Sequence, residues 1–482
     1  MVRVRYAPSP TGMQHIGGVR TALFNYLFAR SKGGKFILRL EDTDRTRYGE
    51  EYVQNLYDTL DWLGIDWDEG GTKGGEFGPY VQSERFELYK EYAQKLVDDD
   101  KAYYCFCDEE RLERIRLLQT KNKMPPGYDR NCRHLTKEEI AEKLAAGEPY
   151  VIRLKIPLEG VTKFTDALLG DIEWKNEDVS PDPVLLKSDG FPTYHLANVV
   201  DDHFMKITHV MRAQEWIPST PLHVLMYRAF GWEPPIFCHL PMVMGQDGQK
   251  LSKRHGATSV NEFRSKGYVP AALVNYVAML GCSYEEGRDI FPLSDLEKKF
   301  DVAHLNKAPA VFDYKKLEWF NGQYIRAMSD DELLASILPF LEGCDYFDGS
   351  DGAKSVLKEI IPHIKERLHF LSDVAEMVKF LFCDVSPAVE DLIPKKQTAE
   401  GTKAVLQNAP LFVEKIRGGD DEAAEELARE LAEKLGIKLG DFMMPIRIAV
   451  TGSRISPPLI GSIRVLGCDK ALERLQAAEK LL

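Results

Sequence analysis

No stretch of this 482-residue chain is apolar for long enough to cross a bilayer, and its start, M-V-R-V-R-Y, lacks the apolar core of a secretion signal. A cytoplasmic protein without membrane contact is expected. Positive charge is scarce: 62 Lys and Arg stand against 75 Asp and Glu, giving a net charge of −13 and a pI near 5.5. Taken alone, that balance argues against a nucleic-acid partner, which would have to meet a basic face hidden in an acidic average. Part of the excess lies in Asp98-Asp99-Asp100 and in residues 420–433, which read as solvated turns and helix faces. Two glycine-rich nucleotide fingerprints, G-x-G-x-x-G and G-x-x-x-x-G-K-[ST], are missing. Repeats and low-complexity tracts are absent too, so the length points to roughly two to four ordinary globular domains.

What is present is concentrated first in residues 2–45. Val2, Val4 and Tyr6 alternate with Arg3 and Arg5, a short strand that runs into a Pro/Ser/Thr/Gly loop. From Val19 to Lys32, Leu23, Phe24, Leu27 and Phe28 recur at helical spacing, and Gly33-Gly34 closes the run. Phe36 to Leu40 is again β-rich. Such a β-loop-α-β unit needs a right-handed crossover and places its loop at the carboxyl edge of a parallel sheet, where ligands bind. His15-Ile16-Gly17-Gly18 stands at the helix start, where free N–H groups and the helix dipole favour an anion, glycines allow close approach and an imidazole can donate. A glycine-rich turn with an exposed histidine would read the same way.

A second stretch, M-V-M-G-Q-D-G-Q-K-L-S-K-R-H-G-A-T (Met242 to Thr258), sets Lys250, Ser252, Lys253 and Arg254 in a glycine-flanked loop. Mobile lysines suit a polyphosphate whose charge grows in the transition state, although a solvated basic turn has the same composition. Glu50 to Leu63 reads as a helix ended by Gly64, and Phe86 to Val97 as another; the nucleotide-binding half ends near residue 100. Tyr150 to Ile156 and Glu173-Trp174 are strand-like, and Leu185 to Asp202 returns to the sheet. From Ala327 helix follows helix. Ser329 and Glu332 form a capping box opening Leu333 to Leu341, and Leu427, Leu431 and Leu435 make a stripe ended by Gly436, with Glu430 and Lys434 paired outside. This last part would either stabilise the protein as a bundle or bind a partner.

Eight cysteines occur. Cys105 and Cys107 precede Cys132 and His134, with 24 residues between Cys107 and Cys132. Three thiolates and an imidazole are a ligand set for tetrahedral zinc, yet reduced thiols in the cytosol need no partner and C-x-C is tighter than the usual C-x-x-C. The cysteines at 238, 282, 344, 383 and 468 have apolar neighbours and read as core residues.

Together, P-S-P-T-G-x-x-H-I-G-G and K-L-S-K-R closely resemble the two signatures of class I aminoacyl-tRNA synthetases, in the bacterial glutamyl form of the glutamyl/glutaminyl subgroup. The resemblance runs the length of the chain and includes L-R-L-E-D-T-D-R (Leu38 to Arg45), Y-H-L-A-N-V-V-D-D-H (Tyr194 to His203) and W-F-N-G-Q-Y-I-R (Trp319 to Arg326). It departs from the class pattern H-I-G-H at Gly18. It implies an α/β Rossmann-type catalytic domain (residues 1–100 and 190–240) with an inserted acceptor-binding domain (101–189) that carries the zinc ligands. A stem-contact domain (241–326) and an all-α anticodon-binding domain (327–482) follow.

The implied activity is ATP-dependent ligation of L-glutamate to tRNA(Glu) through a glutamyl-adenylate; whether tRNA(Gln) is also charged stays open. ATP arrives with Mg²⁺, activation waits for tRNA, and the enzyme is a cytoplasmic monomer. His15, Lys250 and Lys253 would be catalytic, with Pro10, Thr11, Gly12, Gly17, Gly18, Ser252 and Arg254 also at ATP. A negative substrate side chain needs a bidentate cation, so Arg5 and Arg212 would hold the γ-carboxylate, beside Ala7, Ser9, Tyr194 and Asn198, with Glu41 on the α-ammonium. Structural zinc would sit on Cys105, Cys107, Cys132 and His134. Arg367, Arg447 and Thr451-Gly452-Ser453 would meet the anticodon. A truncated relative that glutamylates a modified base would lack the helical C-terminal third, an H-x-x-H nucleotidyltransferase would need no amino-acid pocket, and a non-catalytic tRNA-binding relative would have lost His15, Lys250 or Lys253.

Overall fold

The computed structural model describes residues 1–44, 46–395 and 397–482. Arg45, the last residue of the L-R-L-E-D-T-D-R run, lies outside the described residues. The chain divides into two compact units, one comprising residues 1–262 and 274–313, the other residues 263–273 and 314–482.

In the first unit, strand β1 (Arg3–Tyr6), helix α1 (Ile16–Ser31) and strand β2 (Lys35–Leu38) form the expected β-loop-α-β unit, and β1 pairs parallel with β2. The helix starts three residues before the apolar run that announces it, because His15 caps it. It is buried on nearly every side, as a helix packed between a sheet and further helices must be. Its turn back to β2 uses Gly34, where a Cβ would stand 2.4 Å from the Val2 carbonyl. Helix α2 (Glu50–Leu63) matches its predicted span and ends at Gly64 in the left-handed conformation (φ 69°), and strand β3 (Glu69–Gly70) completes a parallel sheet in the order β1-β2-β3.

Helix α3 (Phe86–Asp98) leads into strand β4 (Ala102–Cys105), the solvent-facing helices α4 (Glu109–Lys121) and α5 (Lys137–Ala145), and strand β5 (Val151–Leu154). Strands β6 (Val161–Asp166) and β7 (Gly170–Lys175) make a hairpin, and strand β8 (Val184–Leu186) closes an antiparallel sheet in the order β4-β5-β8. Helix α6 (Tyr194–Phe204), strand β9 (His209–Ala213), helix α7 (Thr220–Phe230) and strand β10 (Ile236–Leu240) follow. The hairpin, which falls inside the span expected for the insertion, pairs through β6 with β10, giving the order β7-β6-β10-β9. Thr208, just before β9, exchanges hydrogen bonds with the backbone of Arg3, so the edge of β9 lies beside β1. The chain order therefore reverses between β1 and β9, the point at which an open parallel sheet leaves a crevice at its carboxyl ends.

All four residues of β1 are buried, Arg3 and Arg5 included, although their alternation with valine suggests a half-exposed strand. A central parallel strand is covered on both faces, and its arginines tolerate this because carboxylates meet them. Arg3 forks onto Glu69 (2.7 and 2.8 Å) and Arg5 onto Asp202 (3.0 and 3.2 Å). Beside Asp202, Arg39 is fully buried between Asp202 (2.6 Å), Glu41 (3.0 Å) and Asp201 (3.8 Å), and Asp201 also accepts from Arg85, Gln82 and Tyr89.

The second unit is helical throughout its described residues, with one core around Ile325, Leu333, Leu357, Ile360 and Ile364 and another around Val405, Phe412, Phe442 and Ile446. The Ser329–Glu332 capping box is present. On the helix Asp421–Lys434 the buried residues are Ala424, Ala428, Leu431 and Ala432, while Leu427 and Leu435 are only partly covered. The stripe thus sits one step round from the leucine spacing, because small alanines let the neighbouring helices approach. The i, i+4 ion pair on that helix is Arg429 with Glu425. Cys238 and Cys282 are buried as expected, whereas Cys344, Cys383 and Cys468 are half-buried at helix margins.

Replacing Arg39 with alanine leaves three buried carboxylates short of a cation and should cost about 3–5 kcal/mol. Urea denaturation followed by tryptophan fluorescence reads this loss, since Trp62, Trp67, Trp174, Trp216 and Trp232 all lie in the first unit.

Candidate functional site

At the carboxyl ends of β1 and β9 opens a cleft of about 1710 Å³, well above the few hundred to a thousand Å³ of a pocket for one small ligand. Arg5, Ala7, Ser9, Glu41, Tyr194, Asn198 and Arg212 line it, as do Gly12, His15, Gly17, Gly18, Lys250, Ser252 and Lys253. Pro10, Thr11 and Arg254 are not among its lining residues: Thr11 closes a turn onto the Ser9 carbonyl, the Pro10 carbonyl accepts from Gly49, and Arg254 is exposed beside Asp247.

The two motifs, distant in sequence, meet through the backbone. Ile16 donates to the Thr258 carbonyl (3.0 Å) and Val260 to the Gln14 carbonyl (3.1 Å), a short bridge between His15 and Ser259. Asn55 supports it from α2, accepting from the Gln14 amide at 2.8 Å and donating to Asn261. His15 accepts from the Gly18 amide through Nδ1 (3.3 Å). The Gly18 amide thus caps the helix, while His15, Gly17 and Gly18 all line the cleft. The imidazole is open to solvent on one side, yet the wall of the cleft and then Lys250 lower its pKa, so it is a neutral donor near pH 7.

Lys250 reaches Glu215 at 2.6 Å, with both side chains substantially exposed. Ser252 turns its hydroxyl to His255 Nδ1 (3.1 Å), and Lys253 opens a short helical turn at the solvent.

The amino-acid end of the cleft is built around two arginines with different partners. Two nitrogens of Arg5 are engaged by Asp202, and the residue also lines the cleft. Arg212, 5% exposed, has no ion pair among the described residues. Its donors reach neutral acceptors: His239 Nε2 (3.2 Å), His223 Nδ1 (3.3 Å), Thr220 Oγ1 (2.8 Å), Tyr194 Oη (3.4 Å) and the Trp216 carbonyl (3.5 Å). Tyr194 packs against Trp216 at 4.6 Å. Burial raises the Glu41 pKa against the pull of Arg39 and Arg5. Burial also pushes Asp202 up, but Arg5 and Arg39 reverse this and leave it below the usual carboxylate range. Sequence reasoning missed Arg39, Asp201, Asp202, His223 and His239. The signal was there for the first three, since charged residues set inside the apolar runs Leu38-Arg39-Leu40 and Val199-Val200-Asp201-Asp202 must find partners in the interior.

Cys105, Cys107 and Cys132 hold their sulfurs within 4.8 Å of one another, with Cys107 and Cys132 at 3.5 Å. His134 does not join them; it is exposed at the end of the turn Asn131–His134. The Tyr128 hydroxyl approaches Cys105 (3.2 Å) and Cys107 (3.6 Å) instead. A hydrogen bond from Cys105 draws the Cys132 thiol down to about 4. In the second unit, Arg367 and Arg447 converge on the Ser456 carbonyl (2.8 and 3.3 Å), although far apart in sequence. Thr451 and Ser453 are joined in the turn that precedes it. No helix among the described residues is long and apolar enough to span a membrane.

Residues 1–319 match the model of the class I tRNA synthetase (E and Q) catalytic domain, and residues 332–479 that of an anticodon-binding domain. The chain is 67% identical to the glutamate–tRNA ligase of Treponema denticola over 99% of both chains, and 47% identical to that of Dehalococcoides mccartyi over 99% of this chain and 97% of the other. Its fold is similar to a glutamate tRNA ligase from Elizabethkingia meningosepticum, solved in complex with its amino acid (TM-score 0.88, 37% identity, 100% and 99% of the two chains). It is also similar to the glutamate-tRNA synthetase of Elizabethkingia anophelis (TM-score 0.85, 36% identity, 99% of both chains).

The histidines behind Arg212 make stability pH-dependent. Burial, and then Arg212, lower His195 to about 4, and burial lowers His223 and His239 as well. These imidazoles stay neutral in the folded chain and take up protons below about pH 6.5 once unfolded, so stability falls as pH drops from 6.5 towards 4. His195→Gln removes one of these groups, and urea midpoints between pH 7 and 5 should decline less steeply than in the parent.

Proposed function

The chain belongs to the glutamate–tRNA ligase family of class I tRNA synthetases, and we propose that its cleft joins L-glutamate to tRNA(Glu) with the following division of labour. The observation that carries this reading is Arg212, a buried guanidinium whose hydrogen-bond partners among the described residues are all neutral. A buried cation without a counter-ion is costly, and a substrate carboxylate would relieve that cost. Arg212 takes the γ-carboxylate, with Tyr194 and Asn198 beside it and Arg5, held by Asp202, adding positive potential. Glu41, whose pKa burial raises, lines the same cleft, and an α-ammonium docked beside it would draw that pKa down again. The pocket thus reads both ends of glutamate.

The α-carboxylate is already a nucleophile and needs no base. It attacks the α-phosphorus of ATP, forming the glutamyl-adenylate and releasing pyrophosphate, while the protein aligns the two anions and neutralises growing charge. His15 donates from Nε2 and Gly17 from its amide to the phosphates; Mg²⁺ bound with ATP would supply further charge neutralisation. Lys250 leaves Glu215 to meet the departing pyrophosphate together with Lys253. A hydroxyl of the terminal adenosine of tRNA then attacks the acyl carbon and AMP departs. Helix α4, which has no buried residue, presents Arg114, Arg116 and Lys121 to solvent, with Lys123 just past its end, and these exposed cations would meet tRNA phosphates despite the acidic average. Arg367 and Arg447 are the anticodon readers, and the enzyme acts as a cytoplasmic monomer.

Aminoacylation with radiolabelled glutamate and separate tRNA(Glu) and tRNA(Gln) transcripts tests the function. Charging of tRNA(Glu) is expected, and charging of neither would overturn it. Charging of tRNA(Gln) as well would make the enzyme non-discriminating. ATP–pyrophosphate exchange should stay near background until tRNA is added.

Cys105, Cys107 and Cys132, whose sulfurs lie within 4.8 Å of one another, would hold a structural zinc, which would brace this part of the chain without opening a position for water. The purified protein should carry stoichiometric zinc by mass spectrometry and lose it in Cys132→Ser; a zinc-free parent protein would refute the assignment.

A further inference from the structure

Arg212 is directed by five hydrogen-bond contacts, and none of its partners among the described residues is an acid. Its contacts divide by side. Towards the cleft lie the two longest, to Tyr194 (3.4 Å) and the Trp216 carbonyl (3.5 Å), both residues of the cleft wall. Away from the cleft lie Thr220, His239 and His223, all buried and none part of that wall.

The hydrogen-bond pattern orders these inner residues. Asp166, the last residue of β6, accepts the Nδ1–H of His239 at 2.7 Å, which leaves His239 Nε2 as an acceptor for the Arg212 Nε–H. Three backbone amides, those of Leu168, Leu169 and His239, also donate to Asp166 (2.9, 2.9 and 3.0 Å) and spread its charge away from the arginine. Thr220 accepts from Arg212 at 2.8 Å and can donate to the Trp216 carbonyl or to His239. Because arginine can only donate, His223 Nδ1 is an acceptor, and its Nε2–H passes to His195 Nδ1 at 3.0 Å. The chain from Asp166 to His195 therefore has one consistent arrangement of protons, with Arg212 at its centre.

We propose that Asp166, His239, Thr220 and His223 are positioning residues that hold Arg212 through neutral acceptors alone, so that preference for glutamate over glutamine depends on the carboxylate the substrate brings. An acid in place of any acceptor would neutralise the guanidinium in advance and let a neutral amide compete. Neutral acceptors fix the direction of the fork and leave its charge unspent. The β6–β7 hairpin thus reaches the amino-acid pocket through Asp166.

This rests on Arg212 meeting the γ-carboxylate, and the test separates the two. The full-length enzyme is assayed by tRNA-dependent aminoacylation, with KM measured for glutamate, ATP and tRNA, and with glutamine as competitor. The isosteric Thr220→Val, and His239→Leu, should each raise the glutamate KM about tenfold or more and narrow the preference over glutamine by a similar factor, as loss of a buried hydrogen bond to a charged group implies. KM for ATP and tRNA should stay within about twofold, and Thr220→Ser and His239→Gln, which keep an acceptor, should recover most of the loss. An unchanged glutamate KM in Thr220→Val overturns the proposal, whether or not His239→Leu folds; so does a parallel fall in every parameter that the conservative variants do not rescue. Arg212→Leu reports on the assignment beneath: if it leaves the glutamate KM unchanged, the pocket reading fails, whereas a large rise in Arg212→Leu with none in Thr220→Val defeats this inference alone.

Discussion

The first unit depends on a buried exchange of charge. Arg5, Arg39 and Arg85 face Glu41, Asp201 and Asp202 beneath the carboxyl edge of the sheet, with Asp202 shared by two arginines and Asp201 drawing hydrogen bonds from Tyr89 and Gln82 as well. Such pairs are costly to desolvate and contribute little net stability, but each member is intolerable without its partners. The six groups fix the registers of β1, β2 and α6 against one another, because a slip of one residue would strand a charge in the core. They also leave Arg212, one strand away on β9, without an acid partner among the described residues.

Much of this was legible in the residues. The β-loop-α-β start, α2 and the Ser329 capping box follow from local periodicity and turn chemistry, which the structure obeys, whereas the two motifs that share the cleft were joined only by the family resemblance. Partners separated by long stretches of chain were not legible. Nothing in V-R-V-R-Y says that both arginines are inside, since alternation reads as half-exposure until the sheet is known to be covered on both faces. The β6–β7 hairpin shows no local sign of pairing with β10, and His134 sits at a zinc-ligand spacing yet points to solvent. In each case the deciding contact lies in tertiary structure, beyond the reach of any window of sequence.

His15 shows how one residue can serve two levels of structure. Its Nδ1 caps the start of a helix by accepting from Gly18, and that same bond leaves the proton of the neutral ring on Nε2 in a residue that lines the cleft. Local order and chemical readiness are one contact here. Thr220 does something similar at the first turn of α7, where its hydroxyl meets a side chain from the adjacent strand as well as the Trp216 carbonyl.

The lysine loop is pinned at both ends, by the bridge between Met244 and Lys250 and by the bridge between His15 and Ser259. Between these two points Leu251 donates to the Val243 carbonyl (3.0 Å) and His255 meets Asp247 (2.9 Å), and release of these contacts would leave the segment as a leash. At about 3.4 Å per residue, the stretch 251–257 has a contour of roughly 24 Å, so its tip can travel at most about half that from its anchors. Lys253, near the middle, therefore sweeps a bounded arc over the cleft, while Lys250, at the hinge, can do little more than swivel. The chain's own tether thus sets how far the cleft mouth can open, and insertion of even a few residues between 254 and 257 would lengthen that arc while leaving the amino-acid end of the cleft as it is.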